Sequence, residues 1–171
     1  CAAPATSLKP QAPPVATAPR PLPPLRSPGV RLPTGAAPRH YRLALTIVPG
    51  QDTFSGTITA QVDVTQPLEV LWLNATALKV TSSTLVTEHG PRPAEVVVAD
   101  EHFIALVPRC EAALPSCRVA VGLQDVTLAF SGALSRKDTD GLFQAKEGDA
   151  WYAYTSFEPI DARRAFPHFD E

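Results

Sequence analysis

The sequence predicts an all-β domain, an antiparallel β-sandwich or pair of saddle-shaped sheets, preceded by a disordered proline-rich tether. Three observations predict it. Apolar residues recur with period two from residue 40 to residue 157, turn-forming clusters interrupt them at short intervals, and no segment sustains a helical period over ten residues. Proline usage sets the boundary. Residues 1–38 hold eleven of the nineteen prolines together with Lys9, Arg20, Arg26 and Arg31, and no Asp or Glu. Such a segment lacks an apolar period and favours extended, solvated polyproline-like chain. Residues 39–171, about 133 of them, suit one domain with its own core.

Each strand follows from its own run of residues. In HYRLALTIV (40–48), Tyr41, Leu43, Leu45 and Ile47 fall on one face. In GTITAQVDV (56–64), Ile58, Ala60, Val62 and Val64 oppose Thr57, Thr59, Gln61 and Asp63, which is the pattern of a strand with one wet face. Seven further runs follow: LEVLWLNA (68–75), LKVTSSTLV (78–86), AEVVVA (94–99), FIALV (103–107), RVAVGL (118–123), DVTLAFSGAL (125–134) and WYAYTSF (151–157). PGQD, EHGP and ADEH supply turns between them. SRKDTDGLFQAKEGD (135–149) breaks the pattern with charge and glycine and reads as a long hairpin loop.

Charge excludes some partners. The net charge is −2, split as +4 on the tether and −6 on the body, so neither a nucleic-acid partner nor an electrostatic membrane surface is indicated. No stretch approaches the roughly 18 apolar residues of a membrane helix. There is no Met in the chain, which marks it as a processed product or an excerpt. Cys1 followed by Ala2, Ala3 and a Pro/Ala-rich segment resembles a mature bacterial lipoprotein, whose first cysteine is acylated. That resemblance implies a lipid anchor at Cys1 and a place in the bacterial cell envelope, at the outer membrane and facing the periplasm or the exterior. Cys110 and Cys117, in CEAALPSC, suit either a disulfide closing a small loop, as export would favour, or two buried free thiols. His40, His89 and His102 stand apart as solvated side chains, and no two histidines are spaced as a metal pair. The sequon Asn74-Ala75-Thr76 reads as incidental.

The final stretch, YTSFEPIDARRAFPHFDE (154–171), differs from everything before it. Pro159 disfavours helix at Glu158 and keeps it extended at the end of a strand, and Asp161 is placed to cap a short turn through Ala162, Arg163 and Arg164. Two readings of Glu158 stand side by side. It pairs with Arg163 or Arg164 in a structural ion-pair cluster, or it faces a ligand.

These residues carry a resemblance. Pro38 to Leu45 matches the P-x-x-Y-x-L-x-L opening of the N-terminal domain of the M1 family of zinc aminopeptidases; Phe54, Gly56 and LWLNA match its next steps, and the last eighteen residues are similar to its T-Q-x-E-P-x-x-A-R-x-x-F-P-C-x-D-E-P. The similarity spans residues 31–171. Ser156 stands where the family commonly has glutamine, and His168 where it has cysteine. The resemblance implies that Glu158 binds the free α-ammonium of a peptide, with Ser156 beside it, and that Arg163, Arg164, Asp170 and Glu171 serve domain packing. It also implies zinc in the complete enzyme, held by an H-E-x-x-H motif in a catalytic domain C-terminal to Glu171. That motif is absent from these 171 residues, which implies no cofactor in this chain and no catalysis by it alone. The alternative reading is a standalone, non-catalytic peptide-binding or structural surface lipoprotein.

Overall fold

The computed structural model describes residues 21–170; Cys1 and the rest of residues 1–20, like Glu171, lie outside the described residues. Among the described residues nine strands form: β1 (Ala36–Thr46), β2 (Thr53–Val64), β3 (Leu71–Asn74), β4 (Lys79–Thr87), β5 (Gly90–Val98), β6 (Phe103–Pro108), β7 (Gly122–Ala133), β8 (Gly141–Glu147) and β9 (Ala150–Ser156). One 3₁₀ turn, Asp161–Arg164, follows. The all-β class is the observed one. Seven strands make a single antiparallel sheet in the order β1-β2-β7-β4-β5-β6-β3, and β8 and β9 pair as a separate hairpin.

The sheet curls until its two ends share a core. Ile58, Ala60 and Val62 of β2 and Val126, Leu128 and Phe130 of β7 lie in the same buried cluster as Leu71 and Leu73 of β3 and Ile104 and Leu106 of β6. Yet β3 closes the far edge of the sheet from β1 and β2. A period-two strand has one apolar face to hide, and here the curled sheet supplies both walls that a sandwich takes from two sheets. On the edge strand β1, Tyr41 and Leu45 pack against this core while Leu43 stays exposed, since an edge strand has a neighbour on one side only.

β6 is buried at all six positions, so both of its faces are covered. Its inner face meets the core. Over its outer side run residues 21–31: Pro21, Leu22 and Pro23 bound a cavity with Val107, Pro108 and Cys117, and Val30 and Arg31 bound another with His102 and Phe103. The first strand begins at Ala36, three residues before the expected boundary at residue 39, because Ala36 to Pro38 continue the pairing with Val64 to Val62.

Asp100 fastens this arm. Its carboxylate accepts the Ser27 hydroxyl and the amides of His102, at 2.7 Å, and Phe103, at 3.0 Å. Burial pushes the Asp100 carboxyl up, but those three hydrogen bonds and the charge of His102 outweigh it and hold it below the ordinary carboxylate value. A carboxyl whose folded pKa is depressed stabilises the fold above its unfolded pKa, about 3.9, and loses that contribution as pH falls through the folded value. The amides of His102 and Phe103 should therefore lose hydrogen-exchange protection below about pH 4. In Asp100→Asn their protection should be lower at pH 7 and insensitive to acid; equal acid sensitivity in both proteins would contradict this assignment.

Two expectations about the strands between residues 118 and 149 need correction. RVAVGL (118–123) is not a strand of its own: Val119 makes isolated bridges to Leu68 and Thr87, and Gly122 and Leu123 belong to the start of β7. The presumed loop 135–149 contains β8, whose register with β9 runs from Gly141↔Ser156 to Glu147↔Ala150. Its alternation was hidden by a buried polar residue. Gln144 accepts the Gly50 amide at 2.7 Å and donates to the carbonyls of Gln51, at 2.6 Å, and Leu134, at 3.3 Å, so an amide occupies a position where a hydrophobic side chain would have announced the strand. The hairpin closes through Gly148, whose φ of 60° suits the first position of a two-residue type II′ turn.

Cys110 and Cys117 are joined in a disulfide just beyond β6. By the chain-entropy model so short a loop contributes about 2 to 3 kcal/mol. Alkylation of the unfolded, unreduced protein should label neither cysteine, and labelling of both would contradict the pairing.

Candidate functional site at the end of strand β9

The last residues are tied to the body by backbone hydrogen bonds. Asn74 and His168 exchange both, at 2.8 and 3.0 Å, the Thr76 amide donates to Arg163 O at 2.8 Å, and the Phe169 amide donates to the Tyr41 hydroxyl at 3.0 Å. Ala165 and Phe169 join the core. β3, β1 and the core thus hold the segment on three sides.

Charge pairing within it is specific. Arg163 is buried, with 8% of its side chain accessible, and pairs with Oδ2 of Asp170, whose other oxygen lies 3.0 Å from Nε2 of His168. Nδ1 of His168 lies 3.0 Å from the Phe166 carbonyl. Arg164 donates through Nε to Asp161 at 2.9 Å. Asp161 does not cap the turn as the sequence suggested; the N-cap position falls on Ile160, without a side-chain hydrogen bond, and the Asp161 carboxylate is taken by Arg164 instead.

Glu158 sits between the strand and the turn. The Glu158–Pro159 peptide is cis, and the Glu158 side chain is exposed. Both arginines that sequence reasoning offered as its partners are occupied by Asp170 and Asp161. Among the described residues, no hydrogen bond or ion pair engages its carboxylate. Ser156, the last residue of β9, is also exposed and stands opposite Gly141. The two candidate residues thus lie two positions apart in the chain, at and just beyond the open end of the hairpin. A carboxylate without an internal partner is free to make charge-assisted hydrogen bonds to an ammonium group.

The surroundings are aromatic, which the strand assignment alone did not reveal. On the face that carries Ser156, β9 presents Tyr152 and Tyr154, and β8 places Ala145 and Phe143 opposite them. Phe143 and Tyr154 stack with centroids 5.5 Å apart, and the Tyr154 hydroxyl donates to Glu147 at 2.9 Å. The Glu147 acceptor, some burial and the neighbouring charges raise the Tyr154 phenol above its ordinary value, so it stays neutral and donating. Phe157 and Ile160, either side of Glu158 and Pro159, are exposed as well. Sequence reading could have found this face only by pairing 141–147 with 150–156.

No zinc centre fits these residues: among the described residues no group of three or more His, Cys, Asp or Glu side chains is arranged to hold a metal. The Nε2 atoms of His89 and His102 face the Ser116 carbonyl and the Glu101 carboxylate, at 3.1 and 3.2 Å. Asn74 is buried, at 2% exposure, and committed to its backbone bridge, so in the folded domain its sequon is closed to a glycan.

Comparison with known proteins places these features. Residues 37–171 match the model of the peptidase M1 N-terminal domain. The chain is 38% identical over 151 residues to aminopeptidase M1-A of Oryza sativa subsp. japonica, with 82% of this chain and 16% of the relative covered. It is 30% identical over 149 residues to glutamyl aminopeptidase of Sus scrofa, covering 82% and 15%. With endoplasmic reticulum aminopeptidase 1 of Homo sapiens it shares 34% over 156 residues, covering 83% and 15%. The chain therefore spans about one sixth of the length of these relatives.

Proposed function

Because the chain belongs to the peptidase M1 N-terminal domain family, we propose that it is the substrate-recognition domain of an M1-type aminopeptidase, in which Glu158 binds the free α-ammonium of a peptide. One observation carries this reading. Glu158 is exposed at the end of β9 while Arg163 and Arg164, the cations nearest in sequence, are neutralised by Asp170 and Asp161. Its charge is left for a partner from outside the described residues.

The surrounding chain would fix where that charge sits. Hairpin pairing holds Ser156, and the 3₁₀ turn docked on β8 holds the segment that follows Pro159. A fixed carboxylate selects a free peptide amine over an acylated one, because only the former brings a compensating charge. Ser156 would contribute a short hydroxyl hydrogen bond at most. The family's peptidases use zinc, which polarises the scissile carbonyl and lowers the pKa of a bound water. Its ligands would lie outside the residues described here, and this chain's part would be confined to binding and orienting the N-terminus.

The test is kinetic, in the complete enzyme that contains this domain. Glu158→Gln should lower kcat/KM for a peptide with a free amine, whereas an unchanged kcat/KM would remove the recognition role.

A further inference from the structure

We propose that the stacked Phe143–Tyr154 pair, with Tyr152 beside it, is a specificity surface that receives a large apolar side chain at the third residue of the bound peptide. The proposal rests on the reading of Glu158 as the anchor of the peptide's α-ammonium.

Three features set this pair apart from an ordinary exposed aromatic. The Tyr154 ring is fixed although the residue is 38% exposed: it stacks on Phe143 at 5.5 Å and 23°, and its hydroxyl is tied to Glu147 at 2.9 Å. Tyr152, 47% exposed, extends the same face one pair further along the hairpin. A tyrosine whose rotamer is already set by its own hairpin offers contact area at little further entropic cost.

The surface is also continuous with the site. Tyr154 and Ser156 share a face of β9, and Gly141, opposite Ser156, places no side chain between them. A Cβ at Gly141 would come within 2.6 Å of the Arg164 Cβ, so the aliphatic part of Arg164 closes that end. The strand rise sets the reach. Tyr154 precedes Glu158 by four residues, a span of about 13 Å if extended and less once the chain turns after Ser156. The third residue of an extended peptide has its Cα about 8 Å from the amine and a side chain that reaches roughly 5 Å to the side of the chain. A peptide whose amine meets Glu158 and whose chain runs back along β9 would lay that side chain toward the Phe143–Tyr154 pair.

Two tetrapeptides with free N-termini, Ala-Ala-Phe-Ala and Ala-Ala-Gly-Ala, separate the outcomes in the complete enzyme. The wild type should favour the Phe peptide in kcat/KM. Tyr154→Ala should reduce that preference about five- to twentyfold, in line with one stacked aromatic contact, and Tyr154→Phe should keep most of it. No preference in the wild type, or an equal loss on both peptides in Tyr154→Ala, would overturn the proposal; the equal loss would make this face a packing surface for another domain. Failure of the Glu158 anchor is read separately, from Glu158→Gln against a single peptide, since the ratio between two equally charged peptides does not report on the amine.

Discussion

Replacing Asp170 by alanine should destabilise the domain by about 3 to 5 kcal/mol, the largest effect of any single charge change in it. Asp170 pairs with the buried Arg163 and, through its other oxygen, with His168. Removing the carboxylate leaves a guanidinium that cannot recover its hydration without pulling the 3₁₀ turn away from Thr76, whose amide donates to the Arg163 carbonyl. Asp170 is itself about one-third exposed, which places the expected cost near the lower end of that range. Two comparisons give the experiment its meaning. Arg164→Ala, which breaks a more exposed pair, should cost less than about 1 kcal/mol, and the double replacement Arg163→Met, Asp170→Leu should be less damaging than Asp170→Ala alone. Urea unfolding of the three variants measures all of this. A loss under about 1 kcal/mol for Asp170→Ala would show that the pair does not hold the segment.

Glu158→Gln should behave in the opposite way. It keeps the shape and removes the charge, so kcat/KM for free-amine peptides should fall by about ten- to a hundredfold, the worth of a charged hydrogen bond of roughly 1.5 to 3 kcal/mol. Stability should not change, because no group among the described residues pairs with the carboxylate and solvent screens it in the free domain. Ser156→Ala should be nearly silent in both assays, since the hydroxyl is short, exposed and outside the network that holds the turn. Unchanged kcat/KM with a lowered Tm in Glu158→Gln would reassign the residue to structure.

Much of the fold was legible in the residues, and the failures have physical causes. β2 and β7 were plain because Ile58, Ala60, Val62 and Val64, and Val126, Leu128 and Phe130, alternate without interruption along strands that bury one face. β6 was plain for a different reason, an apolar run covered on both faces. β8 was missed because Gln144 fills an inward position with three hydrogen bonds, a solution that no hydrophobic period can register. Val119 misled because its apolar neighbours imitate a strand while its backbone only bridges Leu68 and Thr87. At the site, the motif marked Glu158 and Ser156, but the distribution of partners was not in the sequence. Two arginines and three carboxylates within residues 158–170 allow several pairings, and only the docking of the turn on Thr76 and β8 selects Arg163 for Asp170 and Arg164 for Asp161.

The most direct test of the account couples Glu158 to the amine itself. A substrate-like competitive inhibitor with a free α-ammonium and its analogue with hydrogen in place of that group are measured against the complete enzyme, wild type and Glu158→Gln. The account predicts that losing the ammonium weakens inhibition of the wild type ten- to a hundredfold more than it weakens inhibition of the variant, a coupling of about 1.5 to 3 kcal/mol. Equal losses in the two proteins would mean that Glu158 and the α-ammonium do not meet.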